Sequence, residues 1–323
     1  MLEIDAAKAV EAIEQYVSDL LDERNKNCIV MGLSGGIDSA VLITLAVRAV
    51  GAKRVKAFFL KDRDSENDSE IKARVMADWL GIELQVQDIS SKMKSKGVYD
   101  PFIMRVSKLS GVMKRFLLAL YSFIFRETVH LSTIKGGCGQ LGRNPLKKLI
   151  YYFFIVPLVQ SFNTRHIYRR TLIEKEADKL NGVVIGAANY TEAQAGWFVK
   201  EGIDDMPIQP MAGLFKTQIW QLAEYLGLPL NIRQQLPSPD MVQGVTSEIS
   251  IGIAYRRFDI IFDYIERGIM ESEIIAKGVS EEELDHVRDI QRFSAWMRES
   301  PHEPPPITGK VGSPYRTDLC IPE

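Results

Sequence analysis

Cys28-Ile-Val-Met-Gly-Leu-Ser-Gly-Gly-Ile-Asp-Ser39 sets the architecture of this chain. Cys28 to Leu33 is a continuous apolar run ending in Ser34-Gly35-Gly36. A run that short and that apolar predicts a strand buried on both faces and feeding a tight turn. A helix is expected next, from Asp38 to Val50. Before this stretch, residues 5–22 carry apolar side chains at helical spacing. After it come a second strand at 54–60, a helix at 68–80 stopped by Gly81, and an alternating third strand at 82–87. Later segments repeat the rhythm: a helix at 169–180, a strand at 182–186, a helix at 216–226 closed by Gly227, and mostly helix over 248–297. Strands and helices in alternation predict an α/β fold, a doubly wound parallel sheet with helices on both faces.

The 323 residues are 46% hydrophobic and 25% charged with a formal net charge of −2. That composition excludes a disordered chain and a generally basic nucleic-acid binder. The charge is unevenly spread: Pro101 to Arg170 holds twelve Lys or Arg and one acid, Glu127. The same region holds two apolar runs, 116–125 and 149–156, each too short for the roughly 20 residues that span a bilayer. Residues 99–162 therefore stand as a basic, apolar, helical insertion within a body formed by 1–98 and 163–300, with an irregular tail at 301–323. Cys28, Cys138 and Cys320 are too few and too scattered for a disulfide framework or zinc cluster. The acidic, helix-periodic N-terminus is unlike a signal peptide, so the expected location is cytoplasmic.

The turn after the first strand carries chemistry. Gly35 and Gly36 let the backbone approach a ligand closely. The N–H groups opening the next helix, at its positive dipole end, make an anion site. Ser34 and Ser39 add hydroxyl donors. Asp38 beside a phosphate calls for an intervening cation, so the string predicts a nucleotide phosphate held with Mg2+. The SGGxDS string resembles the pyrophosphate loop of the N-type ATP pyrophosphatases, a Rossmann-like (HUP-type) superfamily of adenine nucleotide alpha hydrolase-like enzymes. Within it, Gly186-Ala-Ala-Asn-Tyr-Thr-Glu192, Phe198-Val-Lys200, Pro210-Met-Ala-Gly-Leu-Phe-Lys-Thr-Gln218 and Leu236-Pro-Ser238 resemble the ammonia-dependent NAD synthetases. The resemblance implies ATP and Mg2+ as cofactors. Gly32, Leu33, Ser34, Gly35, Gly36, Asp38 and Ser39 would hold the phosphates, and Asp38 and Glu192 would ligate the metal. Lys216 would meet the phosphates or departing pyrophosphate, with Arg63 adding positive charge and Ala187 and Ser238 at nucleotide-contacting positions. Lys216, Asp38 and Lys200 are the expected catalytic set.

The acceptor half departs from that family. Ile167 stands at an Arg position, Val199 at a Thr, Ile203 and Pro207 at two Asp, and Trp296-Met297 at a His-Lys pair; Lys200 is retained. Several lost polar partners, each worth about 1–3 kcal/mol, predict an amide ligase that adenylates a carboxylate other than deamido-NAD and transfers ammonia to it. The alternative is a genuine ammonia-dependent NAD synthetase, in which the insertion supplies new contacts. A second alternative is a tRNA thiolase-like sulfur transferase using Cys138, and a third a regulatory nucleotide-binding module. The expected partners are a small-molecule carboxylate acceptor, ammonia from solution or a glutaminase, and a second copy in a homodimer. Nucleic acid is not expected. The insertion reads first as a lid and dimer contact and next as a peripheral membrane contact.

Overall fold

The computed structural model describes residues 2–106, 110–238, 242 and 244–298, so the tail at 301–323 lies outside it. α1 (Ala6–Glu23) starts where the Asp5 carboxylate accepts the Lys8 N–H, and leads to β1 (Cys28–Gly32). α2 (Ile37–Val50), β2 (Val55–Lys61), α3 (Ser69–Leu80) and β3 (Leu84–Asp88) follow as the periodicity predicts. Gly81 ends α3 with φ +66°, a left-handed stop that favours glycine. The short α4 (Ser90–Ser95) leads into the basic region.

That region is helical. It comprises α5 (Ile103–Val106), α6 (Gly111–Phe125), α7 (Val129–Gly137), α8 (Pro145–Ile150) and the start of α9 (Val156–Leu180). A π-helical turn, Tyr151–Ile155, joins α8 to α9. Pro157 has no N–H to give to a carbonyl one turn back, and the helix widens just before it. The helix expected from Arg169 thus begins at Val156, and residues 145–180 run as one rod across position 162. Beyond it lie β4 (Gly182–Val184), α10 (Tyr190–Ala195), α11 (Lys216–Tyr225), α12 (Leu230–Arg233), α13 (Ser247–Ile251), α14 (Tyr255–Glu266), α15 (Glu271–Ala276) and α16 (Glu281–Ser294).

The four strands are parallel in the order β3-β2-β1-β4. Side chains alternate between faces along each strand. Ile29, Met31, Ala57 and Phe59 pack into one core with α1, α2, α3 and α11. Cys28, Val30, Phe58 and Leu60 pack on the other face against Met93 of α4 and Ile173 and Ala177 of α9. The sheet is therefore doubly wound. The chain goes from β1 to β2 on one side and later returns to pair β4 on the other. The carboxyl end of β1 is the switch point where open α/β sheets bind ligands.

A second core joins α7, α10, α13, α14, α15 and α16 through Leu131, Ile134, Tyr190, Ile251, Phe262 and Leu284, among others. One helix of the basic region, α7, uses adjacent glycines to admit two rings. A Cβ on Gly136 would sit 2.1 Å from the Tyr151 oxygen, and one on Gly137 2.2 Å from the Trp296 ring. Glu127, the region's lone acid, is half-buried between Lys147, Lys135 and the Ser132 hydroxyl. Burial pushes its carboxyl up, but Lys147 and Ser132 outweigh that and hold it below the usual glutamate value. Other side chains of the region are apolar and open: Val112, Phe116, Leu149, Tyr152 and Phe153 are exposed, and Phe123 is 85% exposed. No described helix is long and apolar enough to cross a membrane.

Candidate active site

The loop after β1 is held by its own serines. The Ser39 hydroxyl donates to the Gly36 carbonyl at 2.9 Å and accepts the Ser34 N–H at 3.2 Å. The Ser34 oxygen lies 3.1 Å from that of Ser39 and accepts the Gly36 N–H at 3.2 Å. Both hydroxyls hydrogen-bond within the loop. No side chain caps α2 at Gly36, so its first-turn N–H groups are available to an anion. Gly35 has φ +83°, and a Cβ there would meet the Ser69 carbonyl oxygen at 2.4 Å. The loop is pressed against the start of α3 and admits only glycine at this point.

Three charged side chains converge in front of the loop. Lys216, the first residue of α11, is 2% exposed and pairs with Asp38, and its ammonium lies 3.4 Å from Glu192. Burial pulls the lysine pKa down, but the two carboxylates reverse this and hold it above its ordinary value. Glu192 shares that one ammonium with Asp38, and burial pushes its carboxyl up to about 7. Asn189, fully buried, donates to Asp38 at 2.9 Å and accepts the Glu192 N–H at 3.0 Å. It therefore caps α10 and orients Asp38 together. Its spacing from Glu192 is a helix-start signal, but nothing local in the sequence points to Asp38.

A cleft opens here, lined by Gly36, Ile37, Asp38, Glu192 and Lys216 with Trp197, the 235–238 segment and Ser247. Of the predicted residues, Gly36, Asp38, Glu192, Lys216 and Ser238 line it, and Gly32, Leu33, Ser34, Gly35 and Ser39 build the loop behind. Trp197 is a wall residue that no local motif marks. It is packed edge-on against His130 of α7, with ring centroids 5.0 Å apart. His130 is buried 2.8 Å from the Ala195 carbonyl oxygen, and burial lowers its pKa to about 4. The Ser238 hydroxyl donates to Glu66 at 2.6 Å.

Three predicted residues lie outside this lining. Arg63 forms two hydrogen bonds to Asp64, at 2.7 and 2.9 Å, and stacks 3.7 Å from the Tyr99 ring centroid. Asp64 is shared with the buried Arg165, which lies 2.8 Å from one of its oxygens. Ala187 packs against the main core. Lys200 donates to the Trp296 carbonyl at 3.4 Å, and the Trp296 indole donates to the Ile134 carbonyl at 3.2 Å. The lysine is thus tied through Trp296 to α7 of the basic region. Cys138 is likewise absent from the cleft lining, and its thiol donates to the Lys135 carbonyl at 3.3 Å.

Asp38 and Glu192 together fit a Mg2+ that completes its shell with phosphate oxygens and water, since such ions use one or two carboxylates. Two carboxylates facing one ammonium leave a negative excess that a cation would balance. Among the described residues, no group of three or more His, Cys, Asp or Glu could hold a metal unaided.

The family model described as NAD synthase matches residues 9–101 and 158–301. An NH(3)-dependent NAD(+) synthetase from Thermotoga neapolitana is 30% identical over 288 residues, covering 89% of this chain and 93% of the relative. One from Thermotoga maritima is 31% identical over 257 residues, covering 80% and 86%. Two solved structures share the fold. The NMN synthetase from Francisella tularensis has a TM-score of 0.65 at 22% identity, over 94% of this chain and 99% of that one. The NH3-dependent NAD synthetase from Campylobacter jejuni has a TM-score of 0.62 at 19% identity, over 93% and 99%. The match runs through the phosphate loop, Glu192 and Lys216, and the chain is an ATP-dependent carbon–nitrogen ligase belonging to the NAD synthase family.

Proposed function

We propose that this chain is an ammonia-dependent NAD synthetase, joining ammonia to the nicotinate carboxylate of deamido-NAD at the expense of ATP. The observation that carries this reading is the Lys216–Asp38–Glu192 cluster at the switch point, within a chain that is about 30% identical to curated NH(3)-dependent NAD(+) synthetases over most of its length. The different acceptor that the sequence departures favoured finds no support in those relatives, and the alternative fits better. Nor does the cleft offer the thiol that sulfur transfer needs.

The chemistry has two displacements. The acceptor carboxylate oxygen bonds to the α-phosphorus of ATP while the bond to the bridging oxygen of pyrophosphate breaks. Ammonia then bonds to the acyl carbon, AMP leaves with the former carboxylate oxygen, and a proton is released. The first-turn N–H groups of α2 bind phosphate oxygens. The Lys216 ammonium faces the charge that grows on the departing pyrophosphate, inside a cleft where that attraction is strengthened by burial. Asn189 keeps Asp38 aimed at the same space. Asp38 and Glu192 would hold Mg2+, which would supply further neutralisation of phosphate charge. The buried Gln235 side-chain oxygen, which has no partner among the described residues, suits a ligand N–H donor such as an adenine amino group.

A second reading, an acceptor smaller or less charged than the dinucleotide, rests on one contact. The terminal methyl of Ile203 reaches 3.2 Å from the Cβ position of Gly32, so an apolar side chain lies where the family carries an Asp. The exposed apolar face of α6 and residues 146–153 suits a homodimer, with 99–162 as an elaboration of the 1–98 and 163–300 body. The experiment is pyrophosphate release with MgATP and ammonia, run with deamido-NAD and with nicotinate mononucleotide, and products identified by mass. NAD as the faster product supports the first reading. Turnover of the mononucleotide alone establishes the second, and turnover of neither removes both.

A further inference from the structure

Asp259 belongs to α14 and does not line the cleft, yet it reaches both segments that do. It is 0% exposed. It accepts the Thr191 hydroxyl at 2.5 Å, the Thr217 N–H at 2.9 Å and the Thr217 hydroxyl at 2.8 Å. The Thr191 oxygen accepts the Lys216 N–H at 2.8 Å. These bonds answer a local defect. α11 opens at Phe215, whose side chain cannot accept the orphan N–H groups of a first turn. Thr191 takes the N–H of the first helical residue and Asp259 that of the second, so the cap is supplied from two other helices. Thr191 adjoins Glu192, and Thr217 adjoins Lys216. One buried carboxylate therefore clamps together the two backbone segments that present the cleft's ammonium and one of its acids.

We propose that Asp259 is a positioning residue for adenylation, fixing Lys216 against Glu192 through the first turn of α11 without touching substrate. This rests on the reading that Lys216 serves pyrophosphate departure. A carboxylate serving only the fold would change stability and leave the kinetics of folded molecules alone. One that positions Lys216 changes kcat in molecules that are fully folded.

The test uses full-length D259A, D259N and T191V. It measures turnover with MgATP, ammonia and deamido-NAD, MgATP affinity by calorimetry, and thermal unfolding. D259A is expected to lose about 100-fold in kcat, the scale of a misplacement near 1 Å. D259N, which keeps an acceptor oxygen for Thr217, and T191V each lose about tenfold. The acceptor KM stays within about twofold. The D259N/T191V double variant loses less than the product of the two, because both act through one joint. Unchanged kcat per folded molecule with a lowered Tm, or losses that simply multiply, overturns the proposal. If D259A does not fold, D259N and T191V decide alone. A wild type that makes no NAD sinks the NAD synthetase reading instead. The MgATP affinities, expected to weaken about tenfold in D259N, then judge Asp259 on their own.

Discussion

Replacing Gly35 by alanine separates two effects that a phosphate-loop glycine usually confounds. At φ +83°, an alanine pays left-handed strain of about 1–2 kcal/mol. Its Cβ would also stand 2.4 Å from the Ser69 carbonyl oxygen and 3.1 Å from that carbonyl carbon. Both are backbone atoms at the start of α3, so no side chain can swing away. Relief to ordinary contact needs the loop to retreat by about 1 Å, and overpacking of this kind costs about 1–3 kcal/mol. Gly278 provides the control, with φ +85° and nothing within 4 Å of its Cβ position. G278A is expected to lose about 1–2 kcal/mol in denaturant unfolding and to keep wild-type turnover. G35A is expected to lose about 2–5 kcal/mol and to drop about 100-fold in kcat/KM for MgATP, because the N–H groups of α2 move off the phosphates. Equal stability and equal turnover in the two variants would refute the assignment of this contact as the constraint on the loop.

Three further outcomes follow from the charges and the open surface. Glu192 titrates near 7 in the folded chain against 4.5 ordinarily, so the folded state holds the extra proton and stability falls as pH climbs through that interval. E192Q should therefore stabilise the ligand-free protein by about 3 kcal/mol at pH 8 and not at pH 4.5, and identical denaturation midpoint shifts at both pH values would contradict this. E127A leaves the buried Lys147 without its carboxylate, while Lys135 keeps Asp289 at 3.2 Å, and should cost about 3 kcal/mol in chemical denaturation; a loss below about 1 kcal/mol would show the cluster to be idle. Glutamates at Phe123 and Phe153 should convert a dimer to monomer in sedimentation with little change in Tm, and a wild type that sediments as monomer removes the dimer reading.

What the sequence made legible was local. The apolar run at 28–33, the glycine stop at 81 and the loop string place β1, α3 and the anion site because each depends on neighbours a few residues away. The start of α9 was hidden because Pro157 reads as a break, whereas the chain absorbs it with a π turn. Asp259, Asn189 and Trp197 were invisible for another reason. Their partners are set by tertiary packing: Asp259 reads as one more polar position on an amphipathic helix, and Trp197 as a buried aromatic. Arg63 is placed by pattern, but its sharing of Asp64 with Arg165, 101 residues beyond that carboxylate, is again set by tertiary packing. Trp296 explains its own departure from the family pattern, since its ring lies on Gly137 of a helix in the basic region.

The clamp at Asp259 also orders events in time. Asp38 and Lys216 stand 178 residues apart, and Asp259 lies 42 residues past Thr217. During synthesis β1, its loop and α2 leave the ribosome long before the lysine, and the lysine before the carboxylate that secures it. A growing chain thus possesses a phosphate-binding turn well before it possesses a pyrophosphate-departure site. On the proposal that Asp259 positions Lys216, the lysine is fully set only once α14 docks, so the part of the site that serves pyrophosphate departure is the last to be completed.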